Sequence, residues 1–282
     1  VSTASPLVST GWLADHRDGV VVLDATVLPV VADGRLTWES GRARFEEGHI
    51  PGARFADVLE TFSDPTGRYA FTRPTAGRFS AAAESVGVGD GTTVVVSDGA
   101  AGNWAARLWW LFRSFGHDRV FVLDGGSQKW RAEQRPVEAG AGGPVPPVTF
   151  TAEERPGFWA DKTTVADVVE GRENATLICA LSPAEFSGET GFRPRRGHIP
   201  GSLNVPAGRL VSRETNAFLP AAELRELFAD ALAAPDPIVT YCGGGIAAAS
   251  DALALAIVGR NDTRVYDGSL NEWAADDRLP LA

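Results

Sequence analysis

The chain has 282 residues, of which 44% are apolar and 22% charged, so it is a globular protein with enough length for two cores and not a disordered or fibrous chain. A formal net charge of −10 gives no general attraction to nucleic acid or anionic lipid, and the one dense basic run, Arg193-Pro194-Arg195-Arg196, is too short to reverse this. With only two cysteines, a disulfide framework and a self-sufficient zinc site are both excluded.

The first thirty residues lack a basic start followed by a long apolar stretch, and no run approaches the length of a membrane span. The expectation is a cytoplasmic protein, monomeric or weakly dimeric, with no nucleic-acid or membrane partner. In chain order the first apolar run, Val20 to Leu23, reads as a buried strand. Gly48-His49-Ile50-Pro51-Gly52-Ala53 comes next as a rigid turn, because proline fixes φ and glycine permits the bend. A second buried strand, Thr93 to Val96, runs into Ser97-Asp98-Gly99-Ala100-Ala101-Gly102 and an aromatic helix with Trp104, Trp109, Trp110, Phe112 and Phe115. These aromatics read as core, with Trp104 also placed to wall a pocket. Val122-Leu123-Asp124-Gly125-Gly126, with Trp130 after it, closes this half.

The same order then recurs. Leu177 and Ile178 open the second copy, Gly197-His198-Ile199-Pro200-Gly201-Ser202 repeats the turn, and Val265-Tyr266-Asp267-Gly268-Ser269 with Trp273 repeats the close. Between the copies, the Gly and Pro content of residues 137–147 suits a linker. The division expected is a first domain over 1–138, a linker over 139–148 and a second domain over 149–282. Short apolar runs alternating with helical patterns predict an α/β fold with parallel strands buried on both faces.

Chemistry concentrates in Ile238-Val239-Thr240-Tyr241-Cys242-Gly243-Gly244-Gly245-Ile246-Ala247. It reads as a strand, a glycine turn and a helix start, with a thiol at the carboxyl end of the strand, where open α/β sheets bind ligands. Backbone N–H groups of the turn and the positive end of the helix dipole favour a thiolate there, and the same groups can hold an anion. The first copy has Asp98 at the matching place, so only the second copy carries a nucleophile. His49 and His198, and Asp124 and Asp267, occur once in each copy, which favours structural roles. Cys179, at the end of its strand, reads either as a buried core residue or as a thiol that resolves an intermediate on Cys242. Gly243 to Ala248 formally matches a dinucleotide fingerprint, but the chain lacks the further βα units. A cysteine phosphatase would need an arginine where Ala248 stands.

The paired His-Ile-Pro-Gly turns, the paired Asp-Gly segments before tryptophan and the Cys242-Gly-Gly-Gly-Ile-Ala-Ala loop together resemble the tandem-domain rhodanese-type sulfurtransferases, the thiosulfate and 3-mercaptopyruvate sulfurtransferase family. The resemblance implies two rhodanese-like domains, each with a central parallel five-stranded sheet flanked by helices, the first supporting and the second catalytic. One site at the domain cleft would form around Cys242. It also implies sulfur transfer through a Cys242 persulfide from a small-molecule donor to a thiophilic acceptor such as cyanide or a thiol, without metal, flavin or nucleotide. Gly243, Gly244, Gly245, Ile246 and Ala247 are expected to bind substrate through backbone donors, with Arg193 or Arg195 gripping its anionic group. Mercaptopyruvate-type members carry a serine where Gly244 stands, a histidine where Phe71 lies and an arginine near Glu185. Their loss tilts the expectation to thiosulfate, with 3-mercaptopyruvate as the alternative and a non-catalytic sulfur-binding or regulatory protein as the competing class.

Overall fold

The computed structural model describes residues 5–143, 145–234 and 236–282; Pro144, inside the expected linker, lies outside them. The chain forms two compact units. The first reaches to Thr66 and includes Arg73–Arg155 and Ser212–Phe218; the second comprises Gly67–Thr72, Pro156–Val211 and Leu219–Ala282. Each half of the sequence therefore lends a short segment to the unit built mainly by the other.

The strands of the first unit are β1 (Leu7–Val8), β2 (Val21–Asp24), β3 (Val27–Ala32), β4 (Arg35–Ser40), β5 (Arg54–Phe55), β6 (Val94–Ser97) and β7 (Val120–Leu123). Those of the second are β8 (Trp159–Ala160), β9 (Thr176–Cys179), β10 (Leu203–Asn204), β11 (Ile238–Tyr241) and β12 (Thr263–Tyr266). Two five-stranded parallel sheets result, in the orders β1-β7-β6-β2-β5 and β8-β12-β11-β9-β10. The expected α/β duplication is thus present in the two parallel sheets. The central strands β6 and β11 are buried along their whole length, as continuous apolar runs in a sheet covered on both faces require. The edge strands have two residues each, which leaves little unpaired backbone.

One element has no counterpart among the described residues of the second copy. β3 and β4 form an antiparallel hairpin closed by Asp33-Gly34, both at positive φ, the backbone that a two-residue hairpin turn needs. The aromatic helix Asn103–Ser114 is core almost throughout. Trp104 is buried and packs in a T-shaped arrangement with Trp38, ring centroids 5.1 Å apart, within its unit. The repeated tryptophans do the same work in each unit: Trp130 Nε1 donates to Pro136 O and Trp273 Nε1 to Pro280 O, both at 2.7 Å.

The repeated histidines are also structural in kind. His49 stacks on Phe45 at 3.8 Å and donates from Nδ1 to the Phe45 carbonyl; His198 stacks on Phe186 at 3.6 Å and donates from Nδ1 to the Phe186 carbonyl. In the second unit the turn is also tied to β11. The Ile199 N–H donates to the Tyr241 hydroxyl at 3.0 Å, and that hydroxyl donates to Ser202 Oγ at 2.8 Å.

Candidate active site

Cys242 directly succeeds β11 and is a buried residue, 3% exposed. Its backbone is fixed on both sides. The N–H donates to Ser269 Oγ at 3.1 Å, and the carbonyl accepts from Leu270 N at 3.1 Å. Ser269 is a buried non-glycine residue at φ +48, and its hydroxyl donates to Tyr266 O at 2.7 Å. A side chain in this left-handed conformation is held at some cost. Here it supplies the acceptor that orients the Cys242 peptide. Gly126, the matching residue in the first copy, has no side chain to do so.

The turn ends at Gly245, whose φ of +77 lets the backbone reverse into the twelve-residue helix Ile246–Ile257. The N–H groups at the start of such a helix have no partner within it, so those of Ile246 and Ala247 are presented at the loop by helix geometry alone. Gly243 and Gly244 stand at points of close approach. A Cβ on Gly243 would strike the Arg193 guanidinium, and one on Gly244 would lie 3.1 Å from Asn271 Nδ2 and 3.8 Å from the Ala70 carbonyl. Ala70 belongs to the segment Gly67–Thr72, and Phe71 beside it is buried at φ +65.

The two arginines expected as alternatives separate cleanly. Arg193 lies over Gly243, with Nε donating to Asn271 Oδ1 at 2.9 Å. Arg195 is engaged elsewhere: Nη1 donates to Asp276 O at 2.8 Å and Nη2 to Leu279 O at 2.7 Å, which ties down the C-terminal segment. Arg195 therefore leaves the candidate set, because its guanidinium already satisfies backbone carbonyls away from the loop. Glu185, at the position where an arginine was expected, is tied to the helix N-cap Ser182. Its N–H donates to Ser182 Oγ at 3.3 Å, and that hydroxyl donates to Glu185 Oε2 at 2.9 Å.

The first unit shows what such a loop can hold. Asp98 Oδ1 accepts from the N–H groups of Ala100 and Gly102 at 2.8 and 3.1 Å, and Oδ2 from those of Trp104 and Ala105 at 3.0 and 2.9 Å. Burial raises its carboxyl above the ordinary carboxylate range, and the four N–H bonds offset this only in part. The loop is an anion cradle whose anion is its own aspartate. Arg44, five residues before His49 as Arg193 is five before His198, lies against the first glycine here too, with Nε 3.6 Å from the Cβ position of Gly99. That shared spacing was a sequence signal for choosing Arg193.

Cys179 is fully buried, pairs in register with Tyr241, and burial pushes its thiol up to about 12. This is the chemistry of a core cysteine and not of a reactive thiol. Asp251, on the helix after the Cys242 loop, has both carboxyl oxygens buried with no hydrogen-bond partner, and burial pushes its carboxyl well above the usual range. Nothing in the local sequence pattern pointed to Asn271, Ser269 or Asp251.

The rhodanese-like domain family matches this chain twice, over residues 10–133 and 164–276. Among curated proteins, the chain is 35% identical over its whole length to thiosulfate/3-mercaptopyruvate sulfurtransferase 1, mitochondrial, of Arabidopsis thaliana, covering 79% of that protein. It is 36% identical over 95% of its length to human 3-mercaptopyruvate sulfurtransferase, covering 91% of it. Among solved structures, SseA of Escherichia coli, described with the catalytic mechanism of 3-mercaptopyruvate sulfotransferases, superposes with a TM-score of 0.83 at 31% identity, over 94% of this chain and 98% of that one.

Proposed function

The chain belongs to the rhodanese-like domain family and is a tandem-domain sulfurtransferase, and on that premise we propose that its donor is 3-mercaptopyruvate and its sulfur carrier Cys242. The observation that carries the choice of donor is Arg193, held over Gly243 by Asn271. A planar guanidinium with a fixed orientation suits a carboxylate, which it can hold by two parallel hydrogen bonds. The preponderance of 3-mercaptopyruvate among the names of similar proteins supports the same donor over thiosulfate.

In the first half-reaction the Cys242 thiolate attacks the thiol sulfur of the donor. An S–S bond forms, the C–S bond breaks, and its electron pair passes into the 2-oxo group as an enolate. The thiol proton ends on carbon, giving pyruvate and a Cys242 persulfide anion. The loop N–H groups and the helix N-terminus stabilise that anion. In the second half-reaction cyanide or a thiolate attacks the outer sulfur, the S–S bond breaks, and the Cys242 thiolate returns. Both substrates are small molecules. Thiosulfate is the second donor to consider, because the Arabidopsis relative carries both names and the glycine loop offers N–H donors to any small anion.

Intact mass spectrometry after incubation with each donor separately tests this. The expected result is a gain of one sulfur atom with 3-mercaptopyruvate, lost on adding cyanide and absent in Cys242→Ser. Loading by thiosulfate alone would overturn the choice of donor. Loading by neither, with Cys242 still alkylated by iodoacetamide, would favour a non-catalytic sulfur-binding role.

A further inference from the structure

We propose that Asn271 is the positioning residue of this site, a single carboxamide that aims Arg193 and supplies the loop with a side-chain donor that its glycines lack. Three contacts carry this. The Asn271 N–H donates to the Gly243 carbonyl at 2.9 Å, which pins the residue to the loop. Its Oδ1 accepts from Arg193 Nε at 2.9 Å. Because Nε can only donate, that bond also fixes which end of the amide is oxygen. The nitrogen end is therefore directed at Gly244, with Nδ2 3.1 Å from where a Cβ would begin. A glycine at 244 leaves room for the amide, and the amide places an N–H donor where a side chain on the loop would have placed its own polar group.

The first copy supports the assignment from within the same chain. Gln128 stands at the matching position, and its Nε2 donates to the Gly99 carbonyl at 3.1 Å. There the side-chain amide itself holds the loop. In the second copy the backbone N–H takes over that contact, which releases the Asn271 carboxamide to bridge Arg193 and the space above Gly244.

Two variants separate the roles. Asn271→Ala removes both ends of the bridge, while Asn271→Asp keeps an acceptor for Arg193 and replaces the donor facing the loop by a negative charge. For Asn271→Ala the expected result is a KM for 3-mercaptopyruvate raised on the order of tenfold with kcat changed less, because an arginine without its partner must be ordered by the substrate. That KM effect is expected to vanish in an Arg193→Ala background, since the residue acts through the arginine. For Asn271→Asp the pH profile of Cys242 alkylation by iodoacetamide is expected to move about one unit higher, as a neighbouring like charge disfavours a thiolate. The kinetic arm rests on the proposed donor. The alkylation arm needs no sulfur donor, so the failure of one reading does not hide the other. An unchanged alkylation profile in Asn271→Asp, or an Asn271→Ala loss that persists undiminished without Arg193, would overturn the proposal.

Discussion

Asp98 and Cys242 occupy the same register position at the end of the central strand of their respective sheets. The carbonyl of Asp98 accepts from Ser127 N and that of Cys242 from Leu270 N, each at 3.1 Å, while Ala25 N and Ala180 N donate to the residues just before them at 2.8 Å. The two loops then differ in length by one residue. Four steps separate Asp98 from the left-handed Gly102 and three separate Cys242 from the left-handed Gly245. One copy thus closes its cradle on an internal carboxylate, and the other keeps a shorter loop around a thiol.

Replacing the internal anion should unfold the first cradle. Asp98→Ala leaves the N–H groups of Ala100, Gly102, Trp104 and Ala105 without their acceptor, at a cost on the order of 3 kcal/mol. Urea titration monitored by circular dichroism checks this, and a loss below about 1 kcal/mol would show that water readily replaces the carboxylate.

The two arginines should fail in different ways. Arg193→Lys retains the charge but not the two-pronged geometry, so the donor KM should rise about tenfold. Arg195→Ala removes bonds to the Asp276 and Leu279 carbonyls and should cost about 1 kcal/mol of stability with an unchanged KM. Steady-state kinetics beside thermal unfolding distinguishes them, and an exchanged pair of phenotypes would reassign the anion grip.

Asp251 should make the protein less stable as pH rises. Its carboxyl is raised in the folded state, so between the ordinary carboxylate range and its native value the folded protein holds a proton that the unfolded chain has released. Stability is then fullest below the ordinary range and falls with increasing pH through that window, by up to about 1.4 kcal/mol per pH unit. The residue six positions past the left-handed glycine is Asp251 in the second copy and Leu108 in the first. Asp251→Leu should remove this slope and raise the midpoint of thermal unfolding at neutral pH. Equal slopes in the two proteins would place the carboxyl in contact with water.

Cys179 should not pair with Cys242. Full burial and a thiol pushed up to about 12 leave too little thiolate for exchange near neutral pH. Intact mass after mild peroxide treatment should show oxygen added at Cys242 and no loss of two hydrogen atoms, whereas a two-hydrogen loss abolished by Cys179→Ser would restore the resolving role.

The two copies, their parallel strands and the position of Cys242 could be read from the chain because each depends on local pattern. Four-residue apolar runs demand a sheet covered on both faces, and Cys242-Gly-Gly-Gly-Ile can only leave a strand by a tight turn into a helix. The single thiol against Asp98 was equally legible, since a repeat supplies its own control. The hairpin β3–β4 carried a local Asp33-Gly34 signal, weaker than its neighbours because both flanking strands are largely exposed.

Folding alone decided which side chains meet at the loop. Arg193 and Arg195 are neighbours in sequence, yet their guanidinium groups go to different partners, 78 and 81 residues away for Asn271 and Asp276. No periodicity encodes such a choice, because it depends on which carbonyl or amide the packed chain brings within 3 Å of each guanidinium. The same holds for Asn271, for Ser269 at φ +48, and for the 67–72 segment that packs with the second unit. Local sequence sets what a segment prefers to be; long-range packing decides which polar groups face one another, and it is those pairings that bring Arg193 and Asn271 to the loop that follows Cys242.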